Sequence, residues 1–268
     1  WDEVVARAVA GDLAGVECLA GIPGTVGATP IQNVGAYGQE VAQSITSVTT
    51  LDRRRMEVVE IPAEACGFAY RRSRFRDDPS HHLILEVGFR LRPGGVPRVA
   101  YGELARRLAG SSRPGLGTVR ETVLALRRSK SMVLEPDDPN RRSVGSFFVN
   151  PVLGPAALDE LLHRVVEAGT VERADEVPRF PAGVATKIPA AWLIERAGFA
   201  PGLRSGAVGL SSRHCLALVH HGGGTSAQLL RLAAEVRDRV ETLFGIRLRP
   251  EPTFLGFPPG DPLTASGV

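Results

Sequence analysis

The chain has 268 residues, enough for one large domain or two ordinary ones with an ample hydrophobic core. Its formal net charge of +3 makes it mildly basic. Aromatic residues make up only 6% of the chain, too few for the stacking platform of a single-strand nucleic-acid binder. An anionic small molecule explains the same arginine bias, so we expect no nucleic-acid partner.

Periodicity and turn residues predict a mixture of helices and strands, which is an α+β fold. Pro136–Asn140 is a strong turn signal and the best internal boundary. Ser226 is predicted to be the N-cap of the last helix. In chain order the predicted elements are a helix over Trp1–Ala10, a hairpin of Ile45–Leu51 with Met56–Ile61, a strand over Leu83–Leu91, helices over Gly102–Ala109 and Thr118–Lys130, an extended Ser146–Val149, helices over Pro155–Ala168 and Pro189–Ala197, a strand over Leu216–His220 and a helix over Ser226–Phe244.

The stretch Gly21–Gly38 contains five glycines and two prolines and follows neither a helical nor a strand period. Glycine lets the backbone approach a ligand closely, and Thr25, Thr29, Gln32 and Asn33 add polar side chains. The stretch matches neither G-x-x-x-x-G-K-[ST] nor G-x-G-x-x-G, so both common nucleotide motifs are excluded. It predicts a loop that holds a phosphate or a polar ring edge, with an ordinary surface loop as the alternative.

Two further stretches carry candidate chemistry. Tyr70–Arg76 concentrates guanidinium groups between aromatic anchors, which suits a carboxylate or a phosphate, although a solvated basic loop has the same composition. Gly145–Pro151 sets Ser146 between a glycine and two phenylalanines. No G-x-S-x-G elbow or triad partner accompanies Ser146, so we do not expect a nucleophile; a serine can act as a general acid where neighbouring cations stabilise its alkoxide. A plain strand start with a buried serine is the alternative.

Single charged residues supply weaker candidates. Arg127 and Lys130 close a predicted helix and suit a pyrophosphate, but the helix dipole favours cations there as well. Glu195 lies on a helix that also serves packing, and a glutamate such as Glu251, near the end of a chain, is ordinarily a solvated charge.

The cysteines and histidines predict neither disulfides nor a metal site. Cys18, Cys66 and Cys215 are far apart and odd in number, which predicts reduced thiols in a cytoplasmic protein. The adjacent pairs His81–His82 and His220–His221 cannot share one face of an element, so no metal site is expected. No apolar run reaches transmembrane length, so no membrane partner is expected.

In order and spacing, these motifs resemble those of the UDP-N-acetylenolpyruvoylglucosamine reductase family. The departures are Val149, where the family often has Lys, and Arg249 and Pro252 on either side of the Pro-Glu pair. The matching elements are the loop at 21–38, Tyr-Arg-x-Ser-x-Phe at 70–75, Tyr-x-x-Leu at 101–104, Leu-Arg-x-x-Lys at 126–130, Gly-Ser-Phe-Phe-x-Asn-Pro at 145–151, Ala-Ala-Trp-Leu-Ile-Glu at 190–195 and Leu-x-Pro-Glu at 248–251.

The resemblance implies a domain organisation. It assigns residues 1–117 to the C-terminal part of a PCMH-type FAD-binding domain, 118–257 to an α/β substrate-binding domain and 258–268 to a tail. Family members begin with a further Gly-Gly-Gly-Ser-Asn-type segment that also holds the flavin diphosphate, and nothing like it precedes Trp1. We therefore expect a truncated member that binds FAD poorly or not at all.

The resemblance also implies an NADPH-dependent FAD oxidoreductase of peptidoglycan precursor synthesis, which reduces UDP-N-acetylenolpyruvoylglucosamine to UDP-N-acetylmuramate. Arg71 and Glu251 would stabilise an enolate and Ser146 would protonate it. A UDP-sugar is the expected partner, with no obligate protein partner. Flavin contacts are implied at Gly21, Ile22, Pro23, Gly24, Thr25, Val26, Gly27, Ala28, Gln32, Asn33, Gly35, Ala36 and Tyr37, and substrate contacts at Tyr101, Arg127, Lys130, Asn150 and Glu195.

Two alternatives to this function stay open. One is a non-catalytic fragment or sugar-nucleotide binding module, and the other is a different PCMH-type FAD oxidoreductase, such as one acting on an alcohol. The second leaves Gly145–Pro151 and Glu251 unexplained.

Overall fold

A computed structural model describes residues 1–111, 113–257 and 260–264. The chain forms two compact units, Trp1–Leu134 and Glu135–Val268. The domain assignment from sequence divided the chain between residues 117 and 118 instead. The difference arises because the helix at Leu116–Ser129 buries Val119 and Val123 in the core of the first unit. The functional roles assigned to the two domains stay predictions.

The first unit combines helices, short strands and 3-10 turns. The turns lie at Glu17–Leu19, Val26–Ala28, Val41–Gln43 and Ala63–Cys66. The helices are α1 (Asp2–Ala10), α2 (Arg74–Asp77), α3 (Gly102–Arg107) and α4 (Leu116–Ser129), and the strands are β1 (Leu13–Ala14), β2 (Gly35–Ala36), β3 (Gln39–Glu40), β4 (Ile45–Asp52), β5 (Glu57–Pro62), β6 (His82–Phe89) and β7 (Arg92–Pro93).

The main sheet of the first unit is antiparallel, in the order β5-β4-β6. Val48 on β4 lies opposite Ile61 on β5, and both are buried, because alternate residues of a strand face the core. The turn between β4 and β5 is held by the Asp52 carboxylate, which accepts hydrogen bonds from the amides of Arg54 and Arg55 at 2.9 and 3.1 Å. The predicted hairpin is therefore confirmed.

One part of the core of the first unit lies between helices α1 and α4. Val5 of α1, Val123 of α4 and Leu19 of the intervening 3-10 turn are fully buried. The Trp1 indole is buried here too, and its Nε1 donates to the Leu19 carbonyl at 3.0 Å. This contact fixes the start of α1 beside the segment that leads into the glycine-rich loop at 21–38.

The second unit packs three helices around two antiparallel sheets. The sheets have the strand orders β12-β13-β14-β8 and β10-β11-β9. Helices with antiparallel sheets in both units confirm the predicted α+β class. The helices are α5 (Pro155–Glu167), α6 (Ala190–Arg196) and α7 (Ser226–Phe244), and the strands are β8 (Ser143–Ser146), β9 (Val152–Leu153), β10 (Phe180–Ala182), β11 (Ala185–Lys187), β12 (Arg204–Ser205), β13 (Val208–Leu210) and β14 (Ala217–His220).

Part of the segment expected to be a tail packs against α7. Arg237 is only 3% exposed, and its guanidinium donates to the Asp261 carboxylate at 2.9 Å and to the Leu263 carbonyl at 3.1 Å. Leu263 itself is buried in the core of the second unit. The rest of the expected tail, residues 258–259 and 265–268, lies outside the described residues.

No helix within the described residues combines the length and the apolar character that crossing a membrane requires.

The prediction that Ser226 caps α7 is wrong. Thr225 is the N-cap: its hydroxyl accepts from the Gln228 amide at 3.2 Å, and the Gln228 side chain accepts from the Thr225 amide at 2.9 Å. These reciprocal bonds are a capping box, and they begin the helix one residue earlier than a cap at Ser226 implies.

Replacing the true cap should therefore cost stability where replacing the predicted one does not. We expect Thr225→Ala to lower the free energy of unfolding by about 1 kcal/mol, because an amide of the first turn loses its acceptor. Ser226→Ala is the matched control and should stay within about 0.5 kcal/mol of the wild type. Urea unfolding followed by circular dichroism measures both, and a larger loss for Ser226→Ala would contradict the assignment.

Candidate functional site

The glycine-rich loop at 21–38 is packed onto the first unit rather than projecting as a surface turn. The carboxylate of Asp2, the first residue of α1, accepts a hydrogen bond from the Gly21 amide at 2.7 Å. Within the loop, Thr29 is 2% exposed. The start of α1 therefore holds the first part of the loop in place.

A tight hairpin closes the loop, with Tyr37 and Gly38 between β2 and β3. Both residues have positive φ, +49° and +79°, as a type I′ turn requires. Behind the hairpin the Asn33 side chain donates to the Ala69 carbonyl at 3.0 Å and accepts from the Ala42 amide at 3.1 Å. The predicted flavin contact Asn33 is thus a buried brace that ties the loop to the arginine segment.

Arg71 lies in a second tight turn, facing this hairpin. Backbone hydrogen bonds in both directions between Ala69 and Arg72, 3.0 and 3.1 Å long, close the turn, and Arg71 has a φ of +54°. The Arg71 guanidinium donates to the Gly35 carbonyl at 2.7 Å. A Cβ on Gly35 would lie 3.1 Å from Arg71 Nη1 and 2.9 Å from Glu40 Cγ, so a larger residue would force these side chains to shift.

Residues after Arg71 make further bonds to the loop. The Ser73 hydroxyl donates to the Ile31 carbonyl, and Arg76 donates to the Gln32 side-chain oxygen at 3.0 Å. Phe75 anchors the segment, with 3% of its surface exposed. The loop and the arginine segment, predicted separately, therefore form one site.

A pair of tyrosines borders the hairpin tip. The rings of Tyr37 and Tyr101 meet edge to face, with centroids 5.4 Å apart. Burial raises the pKa of the Tyr37 phenol to about 12, although Arg127 acts in the opposite direction. Burial also raises the pKa of Tyr101. Both phenols are consequently neutral at physiological pH and can donate hydrogen bonds to an anion without carrying charge themselves.

Two cations lie at the end of helix α4, Arg127 in its last turn and Lys130 at its C-cap. Arg127 donates to the Met132 carbonyl at 2.7 Å, and burial lowers the pKa of its guanidinium. Its Nε is buried and has no hydrogen-bond partner among the described residues; a Cβ on Gly21 would lie 3.4 Å from it. Lys130 Nζ lies 2.5 Å from the Glu103 carboxylate on α3.

In the second unit, backbone pairing fixes Ser146 and Glu251 on neighbouring segments. Ser146 ends β8 opposite Ala217 of β14, after Gly145 with a φ of +73°. The carbonyl of the next residue, Phe147, accepts from the Glu251 amide at 2.8 Å. The alternative interpretation was a strand start with a buried serine. The strand β8 exists, but Ser146 on it is only half-buried.

Two polar side chains of the second unit also make internal contacts. The Asn150 side-chain oxygen accepts from the Ala190 amide at 2.8 Å, which caps the first turn of α6. On the same helix, the Glu195 carboxylate accepts from the buried Cys215 thiol at 3.4 Å. Asn150 and Glu195, both predicted substrate contacts, therefore also support the structure.

Comparison with known proteins decides the family. A family model described as the C-terminal domain of UDP-N-acetylenolpyruvoylglucosamine reductase matches residues 137–255. The reductase of Thermobifida fusca is 48% identical over 260 residues, which cover 96% of this chain and 72% of that protein. The chain belongs to the UDP-N-acetylenolpyruvoylglucosamine reductase family. The reductase of Mycobacterium tuberculosis is 43% identical over 265 residues, covering 96% of this chain and 71% of its own length.

A solved structure of the reductase from Thermus caldophilus supports the fold. It matches with a TM-score of 0.58 at 22% identity and covers 93% of this chain and 67% of the solved one. At that identity the match bears on the fold alone.

The two units divide the predicted reductase site residues. The first unit holds the glycine-rich loop, Arg71, Tyr101, Arg127 and Lys130, so the two helix cations lie with the loop and not with the predicted substrate-binding domain. The second holds Ser146, Asn150, Glu195 and Glu251. The roles of all these residues stay predictions. Within the described parts of the chain, no group of three or more His, Cys, Asp or Glu side chains could hold a metal ion.

The sequence reasoning missed Glu103. It occupies a variable position (the second x) of the Tyr-x-x-Leu motif at 101–104, and its partner Lys130 is 27 residues away along the chain. No local pattern links the two residues.

The Gly35 contact gives a test of the geometry. We expect Gly35→Ala to lower the free energy of unfolding by about 1–3 kcal/mol, because the added methyl group overlaps Glu40 and Arg71. Gly117→Ala in α4 is the control: its Cβ would meet no described atom within 4 Å, and helix propensity should make it stabilising. Chemical denaturation measures both, and a neutral Gly35→Ala would show that the arginine contact is looser than described.

Buried thiols give a second test. Burial raises the pKa of Cys18 to about 12 and that of Cys66 to about 11, and it also raises the pKa of Cys215. The thiolate is the reactive form, so iodoacetamide at pH 8 should modify the native chain far more slowly than the urea-unfolded chain. Because the folded pKa values exceed the unfolded ones, stability should be full below about pH 8.5 and fall as the pH rises above it. Mass spectrometry of the alkylated chain would identify any thiol that reacts early.

Proposed function

We propose that this chain catalyses the NADPH-dependent, flavin-dependent reduction of UDP-N-acetylenolpyruvoylglucosamine to UDP-N-acetylmuramate, a step of peptidoglycan precursor synthesis. The observation that carries the proposal is the hydrogen-bonded assembly of the glycine-rich loop and Arg71, with Arg127 and Lys130 in the same unit. It occurs in a chain 48% identical to a protein named for this reaction. A binding module would not require Arg71 to be fixed so firmly.

The loop suits a flavin. A Cβ at Gly24 would meet no described atom within 4 Å, and one at Gly27 would come no closer than 3.7 Å to Ile84. Bare backbone at these glycines therefore faces open space, where a large planar group can approach it. We propose that the backbone of residues 21–28 and 35–37 holds FAD together with Gln32 and Asn33, whose side chains also brace the loop. The chemistry that bound FAD supplies is two-electron transfer from NADPH to the enolpyruvyl double bond.

Arg71 and Glu251 are proposed to act on the charge that develops next to the substrate carboxylate. A guanidinium held by its own backbone turn and by Gly35 is already oriented, so it stabilises an enolate oxygen without reorganising during the reaction. Glu251 is fixed through its backbone amide beside Phe147. Ser146, the residue before Phe147, is proposed to deliver the proton to the enolate carbon.

The remaining contacts are proposed to bind the substrate diphosphate. Arg127 and Lys130 supply positive charge, and the neutral phenol of Tyr101 donates a hydrogen bond. Because Arg127 is fixed by the Met132 carbonyl, it can orient a phosphate rather than only attract it. A cytoplasmic location stays our prediction, in keeping with the three free cysteines.

The proton-donor role of Ser146 can be isolated from the rest of the reaction. With FAD added, NADPH should bleach the flavin absorbance of Ser146→Ala as it does in the wild type. Reoxidation by UDP-N-acetylenolpyruvoylglucosamine should be slower by about 100-fold or more, because the general acid is lost. Ser143→Ala, on the same strand β8, is the control and should reoxidise normally. Stopped-flow absorbance measures both half-reactions.

The same experiment separates the alternatives. Near-normal reoxidation of Ser146→Ala would reject the serine as proton donor. Failure of the enolpyruvyl sugar to reoxidise the wild-type flavin would reject the reductase in favour of another flavin oxidoreductase. Absence of NADPH bleaching with FAD bound would favour a binding module.

A further inference from the structure

Glu103 is a carboxylate among groups that are proposed to bind a diphosphate. Its Oε2 lies 2.5 Å from Lys130 Nζ, and each of the two side chains is 31% exposed. Its charge also acts on the two phenols: it helps to raise the pKa of Tyr37 and that of Tyr101. An anionic ligand that reaches Lys130 and Tyr101 must therefore meet Glu103.

We infer that Glu103 is a positioning residue that holds Lys130 in the ligand-free protein and yields it to the substrate diphosphate, thereby limiting affinity for the UDP moiety. The inference rests on the proposed function, since it takes Lys130 as a diphosphate ligand.

The inference requires that Lys130 can move from one anion to another, and in this respect it differs from Arg127. Arg127 is half-buried, its Nε is inaccessible to solvent, and it is bonded to the Met132 carbonyl, so its position does not depend on a ligand. Lys130 is held by a carboxylate in a partly exposed pair, which is a weak and salt-sensitive contact. A lysine ammonium is a compact charge on a flexible stem, so it can turn from one anion to another.

The Glu103 carboxylate stays stabilised when Lys130 turns to the ligand. It lies in the first turn of α3, where the helix dipole favours a negative charge, and its side chain has access to water. Its cost to the bound state is the repulsion between its carboxylate and the diphosphate. Substrate and product of the proposed reaction carry the same UDP group, so Glu103 weakens both and favours product release.

Equilibrium binding of UDP to the chain, with FAD added, tests this inference. At low ionic strength we expect Glu103→Gln to lower the Kd for UDP roughly two- to fivefold, the range that loss of one partly exposed ion pair allows. The effect should shrink at high salt. Glu160→Gln is the matched control, since it removes a carboxylate from the exposed Glu160–Arg164 pair on α5 and should leave the Kd unchanged. In turnover, the KM of Glu103→Gln should fall without a rise in kcat.

The direction of the change distinguishes this role from a structural one. Damage to the fold would weaken UDP binding, whereas the inferred role strengthens it, and Glu103→Ala should move the Kd the same way. An unchanged or weaker affinity in Glu103→Gln would overturn the inference. Lys130→Gln must weaken UDP binding if the proposed function is correct. If it does not, or if the wild type fails to bind UDP, the proposed function fails and this inference fails with it.

Discussion

The hydrogen bond from the Arg71 guanidinium to the Gly35 carbonyl joins two tight turns, and the arrangement of the first unit's polar site depends on it. Arg71 and Tyr37 both adopt left-handed backbone conformations, with φ of +54° and +49°. Each such residue costs on the order of 1 kcal/mol and persists only where its surroundings fix it. Here each turn fixes the other, and Gly35 leaves the space that this requires. The direction of the Arg71 side chain is thus set mainly by backbone.

Around this bond the positive charges are each offset by a neighbouring carbonyl or carboxylate. The half-buried Arg127 is anchored to a carbonyl, Lys130 is paired with Glu103, and burial raises the pKa of both tyrosines. An uncompensated cluster of cations would repel itself before any ligand arrives. A reductase that must bind UDP-N-acetylenolpyruvoylglucosamine and then release a product with the same UDP group needs moderate affinity. A paired lysine beside a fixed arginine meets that need.

Apart from the four-residue α2, the helices were predicted, as was the main hairpin, because their signals are local. The alternating burial along β4 and the apolar spacing along α4 can each be read from a single short stretch of sequence. The contacts that assemble the site are not local. Asn33 reaches Ala69 over 36 residues and Lys130 reaches Glu103 over 27, so no spacing rule could pair them. Thr225 was missed as a cap for a smaller reason: two adjacent residues, Thr225 and Ser226, have equivalent capping chemistry, and only backbone angles choose between them.

The second unit shows why functional and structural roles are hard to separate from sequence alone. Asn150 caps α6 through the Ala190 amide, and that helix carries Glu195, which in turn accepts from the buried Cys215 thiol. Loss of activity on replacing Asn150 would follow equally from a lost substrate contact and from a displaced helix. Ser146 is different, because main-chain pairing with Ala217 holds its strand. Replacing its side chain leaves that main-chain pairing in place, so the change acts on chemistry more than on the fold. Of the residues proposed to act on the substrate in this unit, Ser146 is therefore the one whose role kinetics can assign most directly.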